Sequence, residues 1–202
     1  MFLLTLFLVL IPQTISQTPR LKMSIYYESL CSDSVNFIKN QLAPNYDAIK
    51  KDVDFDLIPF GKATHSKKLD DDWTFLCQHG PQECNGNMLQ ACGLKFAANQ
   101  DDKINFVNCV MSAKNPSAKT TTKKCAESNG ISWDDLHNCY NSKVGRELLA
   151  RNGDKTYNVQ PSINFIPTII FDNKYDYYLQ NRAMYDLKGT VKGLVDDLNR
   201  IN

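Results

Sequence analysis

The sequence has no Asn-x-Ser/Thr glycan acceptor. Asn115-Pro116-Ser117 comes nearest, and its proline disqualifies it. An exported chain without an N-glycan has no access to glycan-dependent lysosomal sorting. Secretion is therefore the expected destination, with a lysosomal or endosomal compartment as the alternative. Long hydrophobic runs are also missing. The run Phe2 to Ile11 covers ten positions, whereas a helix that crosses a bilayer needs about 20, so no transmembrane segment is expected. An excess of charge of one sign is missing too. Lys and Arg total 23 against 22 Asp and Glu, which leaves +1. No Lys/Arg cluster is interleaved with aromatics, and nucleic acid is excluded as an expected partner. Internal repeats and low-complexity tracts are absent as well.

What is present is the composition of a folded globular protein, 43% hydrophobic and 22% charged. The short apolar run is broken by Pro12, and Thr14 and Ser16 are small residues at the −3 and −1 positions of a cut after Ser16. This is the layout of a signal peptide over residues 1–16, leaving one domain over 17–202. Seven cysteines agree with export: Cys31, Cys77, Cys84, Cys92, Cys109, Cys125 and Cys139. Oxidising compartments favour pairing, and an odd count leaves at least one thiol over.

Along the chain, Lys22 to Glu28 reads as a first strand, and Leu30 to Asn40 as a helix that Pro44 ends or interrupts. Asp52 to Phe60 alternates at first and reads as a half-exposed strand, which completes a βαβ unit with a parallel pair. From about 73 to 151 strand signals vanish. Helical patches stand at Asn87–Ala98, Ile104–Met111, Trp133–Tyr140 and Val144–Ala150, with Asn152-Gly153 as a C-cap signal. Lys114 to Lys124 is basic and polar, and reads as an exposed, solvated loop. Its charge makes an anionic cell surface a further conceivable partner. Pro167 to Phe171 then reads as a strand, Asp172-Asn173-Lys174 as a turn, and Tyr175 to Leu179 as the second strand of a hairpin. Leu187, Val191, Leu194, Val195 and Leu198 mark one face of a closing helix over Asp186 to Ile201. This order gives the expected fold class: α/β, a thioredoxin-like fold with a helical, disulfide-rich insertion.

Three constellations carry chemistry. Cys31-Ser32-Asp33-Ser34 lies between the first strand and the first helix. A helix N-terminus stabilises a thiolate, and Ser34 is in reach to donate a hydrogen bond to it, while Asp33 opposes it. Position alone leaves Cys31 open between this role and that of an ordinary buried or paired cysteine. Ile166-Pro167-Thr168 precedes a strand. In thioredoxin-like folds a cis-proline here packs beside the nucleophilic thiol, although a proline at a strand start is also tolerated as a plain edge residue. The third is the run Cys77-Gln78-His79-Gly80-Pro81-Gln82-Glu83-Cys84-Asn85-Gly86-Asn87, followed by Cys92. The spacing of Cys77, His79, Cys84 and Cys92 matches no common structural-zinc pattern. Disulfides are expected from them, with no metal and no cofactor.

That run fits C-Q-H-G-x2-E-C-x2-N-x4-C at every defined position. The chain resembles the gamma-interferon-inducible lysosomal thiol reductase family, as an insect-like, secreted member. The resemblance implies a thioredoxin-like fold. In catalytic members it also implies a CxxC pair that reduces disulfides in unfolded or partly unfolded proteins at acidic pH. It puts Cys31 in the nucleophile's place, Ser34 in that of the resolving cysteine, and Pro167 in that of the facing proline. Here the motif is CxxS.

A resolving cysteine displaces reduced substrate from the mixed disulfide within one molecule. Such intramolecular steps reach effective molarities of about 10⁵–10⁸ M, and a serine hydroxyl does not perform them. The expectation is therefore a protein with little or no reductase turnover, binding a protein partner or extended polypeptide. A weak monothiol oxidoreductase or isomerase using Cys31 is the alternative, and a purely structural disulfide-rich domain is a third reading. With Cys31 as the odd thiol, six cysteines remain. The favoured pairing joins Cys125 to Cys139 across a short helix-connecting loop, and leaves Cys77, Cys84, Cys92 and Cys109 to pair among themselves.

Overall fold

The computed structural model describes residues 20–201, and the expected signal peptide lies outside them. The first strand, β1 (Leu21–Tyr27), leads through a short loop into α1 (Ser32–Phe37). A π-helical stretch, Ile38–Leu42, joins α1 to α2 (Ala43–Ile49), and β2 (Val53–Pro59) follows. Pro44 interrupts the helix rather than ending it: it comes just after the π-helical stretch and sits in the first turn of α2.

β1 and β2 pair in parallel, with Leu21 opposite Val53 and Tyr27 opposite Pro59. A third strand, β5 (Thr168–Phe171), joins the free edge of β1 antiparallel, with Tyr26 opposite Thr168. The sheet order is β2-β1-β5. Successive strand side chains point to opposite faces. Leu21, Met23, Ile25 and Tyr27 enter the large core with Phe37, Leu42, Val53, Leu57, Ile169 and Phe171. Tyr26 enters a second cluster with Ile58, Val159, Ile166 and Ile170. One face of β1 is apolar throughout, whereas on the other Lys22 is exposed and Ser24 is polar, and only Tyr26 joins the second cluster.

Between β2 and β5 comes the expected helical insertion, with two differences from the sequence reading. It opens with a two-stranded antiparallel hairpin, β3 (Thr64–Lys67) and β4 (Trp73–Leu76). Strand signals therefore do not vanish at 73. The helices follow: α3 (Pro81–Phe96), α4 (Gln100–Met111), α5 (Lys119–Ser128), α6 (Trp133–Asn141) and α7 (Lys143–Tyr157). The second difference lies at the end of the insertion. Asn152-Gly153 is no C-cap, and α7 runs on past it. Gly153 is needed for a close approach, because a Cβ there would meet the His65 ring at 2.6 Å and Phe60 at 2.7 Å.

The basic stretch Lys114 to Lys124 is also not all loop, since α5 begins within it at Lys119. Lys119 Nζ lies 4.6 Å from the centre of the Tyr140 ring, so part of its charge is used inside the fold.

The expected second strand of the C-terminal hairpin is a helix. Tyr175 to Leu179 is rich in β-favouring tyrosine, but Asp176 caps α8 (Tyr177–Tyr185) by accepting from the N–H groups of Tyr178 and Leu179. Gln180 on that helix is buried. Its Oε1 accepts from the Ile169 N–H at 2.6 Å and its Nε2 donates to the Pro167 carbonyl at 3.0 Å. One side chain thus satisfies the outer edge of β5 where a paired strand was expected. The closing helix, α9 (Leu187–Ile201), buries Leu187 and Val191 and packs Leu194, Val195 and Leu198 against the core as read.

Three disulfides join Cys77 to Cys84, Cys92 to Cys139 and Cys109 to Cys125. The favoured Cys125–Cys139 bond is thereby corrected. The order of helices explains why. Cys125 on α5 faces Cys109 on α4, the helix just before it, while Cys139 on α6 faces Cys92 on the long buried helix α3.

Candidate active site

The end of β1 and the start of β5 are neighbours in the sheet, with Tyr26 opposite Thr168. Strand pairing therefore brings the loop that leaves β1 for α1 beside the residue that enters β5. Cys31 ends that loop, and Pro167 is the residue ahead of β5. Cys31 is the N-cap residue of α1, with extended backbone, and its carbonyl accepts from the Val35 N–H at 3.0 Å. Its thiol is half-buried and unpaired. Sγ lies 3.6 Å from the Ile166 carbonyl, to which it donates. The Ile166–Pro167 bond is cis. Around the thiol stand the apolar side chains of the second cluster, Tyr26, Ile58, Val159, Ile166 and Ile170.

Ser34 is fully buried in the first turn of α1. The sequence suggested a hydrogen bond from its hydroxyl to the Cys31 sulfur. Instead, Ser34 Oγ accepts from the backbone N–H of Glu28 at 3.2 Å, and no hydrogen bond among the described residues joins it to Cys31. Ser34 thus fastens the loop between β1 and α1 rather than serving the thiol.

The same loop is held from the other side by the signature run. Ser29 donates its N–H to Asn87 Oδ1 at 2.8 Å and its hydroxyl to the Glu83 carbonyl at 3.1 Å. Gly86 makes this approach feasible, since a Cβ there would lie 2.4 Å from Ser29 Oγ. Tyr27 donates to Gln90 Oε1 at 2.8 Å. The N-terminal half of α3 is therefore the platform on which the Cys31 loop rests. Cys77–Cys84 staples the start of that platform to the turn before it. Cys92, Cys109, Cys125 and Cys139 all lie in disulfides deeper in the helical region.

Three residues that sequence reasoning did not assign gather behind the loop: Glu28, His79 and Glu83. Both glutamates are fully buried. Burial, the largest influence, pushes the Glu28 carboxyl above its ordinary range. The hydrogen bond from the Lys62 N–H opposes this, and the nearby Glu83 charge adds to it. A signal was available, because Glu28 stands three residues before Cys31 and Glu83 is a fixed position of the signature.

Comparison with known proteins bears on this arrangement. A family model described as "Gamma interferon inducible lysosomal thiol reductase (GILT)" matches residues 22–129. The chain belongs to this family. Among its GILT relatives, GILT-like protein 1 of Drosophila melanogaster is 34% identical over 188 residues, covering 85% of this chain and 74% of that protein. A gamma-interferon-inducible lysosomal thiol reductase-like protein of Anopheles gambiae is 35% identical over 171 residues, covering 79% and 70%. The fold is also that of thioredoxin-like DsbA proteins. DsbA of Chlamydia trachomatis superposes with a TM-score of 0.59 at 14% identity, over 96% of this chain and 97% of that one. BdbD of Bacillus subtilis gives 0.60 at 14% identity, over 88% and 86%. No helix among the described residues is long and apolar enough to cross a membrane.

Proposed function

We propose that this GILT-family chain is a secreted binding protein on a thiol-reductase scaffold, with little or no reductase turnover. One observation carries the reading. Cys31 is the single unpaired cysteine, it is half-exposed beside the cis Ile166–Pro167 bond, and the position three residues on is a buried serine. Exposed Phe165, next to Ile166 in the chain, adds apolar contact surface for an extended polypeptide.

The chemistry available to Cys31 is a half-reaction. Its thiolate attacks one sulfur of a partner's disulfide, a mixed disulfide forms, and the partner's second sulfur leaves as thiolate. Ser34 has no sulfur with which to displace the captured chain, so an external thiol must release it. Capture without rapid release describes a binder. Protein-disulfide reduction tests this, with insulin as substrate and dithiothreitol as the final reductant, at acidic and at neutral pH. A rate indistinguishable from the uncatalysed background is expected. Turnover at the rate of a CxxC enzyme overturns the proposal.

The alternative, a weak monothiol oxidoreductase or isomerase, draws on the same half-exposed thiol. It calls for mixed disulfides that are trapped by the native chain, absent with Cys31→Ala, and released by added glutathione with slow but repeated turnover.

A further inference from the structure

The Glu28, His79 and Glu83 cluster plays no part in the thiol chemistry above. Its contacts are few and asymmetric. Glu28 Oε1 accepts from the Lys62 N–H at 2.7 Å. Glu28 Oε2 is buried, has no hydrogen-bond partner, and lies 3.5 Å from His79 Nδ1. Glu83 Oε1 accepts from the His79 N–H at 3.1 Å, and Glu83 Oε2 lies 2.5 Å from His79 Nδ1. One potential ligand atom from each residue lies within 4.8 Å of the others. Both carboxylates are fully buried, whereas His79 is 44% exposed.

Two buried carboxylates facing one imidazole are not balanced. A buried carboxylate that stays ionised needs a hydrogen-bonded partner charge or a metal, and otherwise takes up a proton. A protonated His79 compensates at most one of them, which leaves the Glu28 oxygen unmatched. We infer that Glu28 Oε2, Glu83 Oε2 and His79 Nδ1 form a binding site for a first-row divalent transition ion, with zinc as the representative. A charge of +2 balances both carboxylates and uses the orphaned oxygen. One imidazole nitrogen with two carboxylate oxygens is a donor set that suits such ions.

The geometry is open to an ion after the ligand atoms, now within 4.8 Å of one another, draw in around it. Ligands about 2.0–2.2 Å from a tetrahedral zinc lie about 3.3 Å from one another. The His79–Glu28 separation already meets this. The His79–Glu83 separation must open by less than about 1 Å, and the half-exposed imidazole is the part free to move.

The surroundings hold the two carboxylates in place. The Lys62 N–H and the His79 N–H each bind the oxygen that is not assigned to the ion, as outer hydrogen bonds orient metal ligands. Gly61, at φ +63°, leaves room for Glu28, since a Cβ there would lie 2.2 Å from Glu28 Cγ. Cys77 and Cys84 flank His79 and Glu83 but are bonded to each other, so they do not compete as thiolates. Three protein ligands leave a fourth position open toward solvent on the His79 side.

The test is zinc binding to the full, disulfide-bonded chain after removal of metals with a chelator. Equilibrium dialysis should give about one zinc per chain. Cobalt as a spectroscopic substitute should give d–d bands without a thiolate charge-transfer band. His79→Ala and Glu28→Gln should each weaken zinc binding by at least about 100-fold, while Cys31→Ser leaves it unchanged. His79→Ala alters a half-exposed side chain and carries the test if the buried Glu28→Gln variant does not fold. Absence of stoichiometric zinc, binding that survives His79→Ala, or binding that requires Cys31 each overturns the assignment.

Discussion

At position 34 an oxygen stands where the family resemblance would put a resolving cysteine's sulfur, and that oxygen is engaged in structure. Ser34 Oγ accepts from the Glu28 N–H inside the buried first turn of α1. Ser34→Cys exchanges it for a larger, weaker acceptor, at a cost of about 1 kcal/mol in stability. In return it places a second thiol in the first turn of the helix that Cys31 caps. Insulin reduction by Ser34→Cys should exceed that of the native chain by about 100-fold or more, given the effective molarity of an intramolecular thiol. If turnover stays at background in a folded Ser34→Cys chain, more than the motif has been lost from the scaffold. A thiol count gives a second check: alkylation of the unreduced, denatured protein should label one cysteine, and none in Cys31→Ala. The places of Cys31 and Ser34 at the start of the first helix, and of Pro167 just ahead of a strand, were legible in the sequence. The role of Ser34 as a loop fastener was not, since its partner Glu28 is reached only through the loop's turn. The Glu28, His79 and Glu83 cluster left only the indirect signal of its positions beside Cys31 and inside the signature, because its members come together from the end of β1 and the start of α3, 58 residues apart at the Ser29–Asn87 bond.

At the scale of elements, close approaches set what each helix tolerates. Gly93 lies in the last turn of α3, and a Cβ there would come within 2.3 Å of the buried Phe106 ring on α4. Helix propensity alone would make alanine better by about 1 kcal/mol. Overpacking a rigid core costs about 1–3 kcal/mol, and Phe106 has no free space to retreat into. Gly93→Ala should therefore destabilise the fold, by up to about 2 kcal/mol in urea unfolding, the balance of those two terms. Helices with a clear apolar face, such as α9, were legible from periodicity. Elements governed by one distant contact were not. Gly153 looked like a helix stop because its partner, the His65 ring, belongs to a hairpin the sequence did not announce. Tyr175 to Leu179 looked like a strand because neither the Asp176 cap nor the Gln180 bonds to β5 show in a local window. That hairpin, β3–β4, has its own pH signature. Its turn is tied to α7 by Asp71 to Lys143 at 2.9 Å and Asp72 to Arg146 at 2.6 Å, and Asp71 also pairs with Lys67. Hydrogen bonds from Lys67 and then Lys143 hold the Asp71 carboxyl down at about 2, from an ordinary 3.8. A depressed carboxyl contributes its stabilisation fully above the unfolded value and loses it as pH falls through the folded one. Proteolysis or hydrogen exchange should show the hairpin loosening from α7 between about pH 4 and pH 2. Asp71→Asn, which keeps the left-handed backbone at φ 63°, should already be loosened at neutral pH and show a flatter acid response.

For the whole molecule, the disulfides divide the labour between the loop that carries Cys31 and the helical body beneath it. Seven cysteines, an odd count, made three bonds and one free thiol legible. The partners were not, because pairing depends on which helices lie side by side rather than on which cysteines are near in sequence. The bonds close loops of different length: Cys77–Cys84 spans 7 residues, Cys109–Cys125 spans 16 and Cys92–Cys139 spans 47. Cross-linking removes freedom from the unfolded chain in proportion to the logarithm of loop length, which gives about 2, 3 and 4 kcal/mol in that order. Their positions sharpen the contrast. Cys92–Cys139 fastens α3 to α6 inside the main core, whereas Cys77–Cys84 fastens only the turn ahead of α3. Replacing both cysteines of a pair by alanine should therefore lower the thermal midpoint most for Cys92/Cys139, less for Cys109/Cys125, and least for Cys77/Cys84. Thiol labelling should run in the opposite sense. Loss of the Cys77–Cys84 staple frees the end of α3 on which the Ser29 loop rests, so Cys31 should react faster with an alkylating agent in that variant, although its loss of global stability is the smallest of the three. Equal loss of stability in all three variants, or an unchanged Cys31 rate without the Cys77–Cys84 bond, would show that loop closure and platform are not separable in this fold.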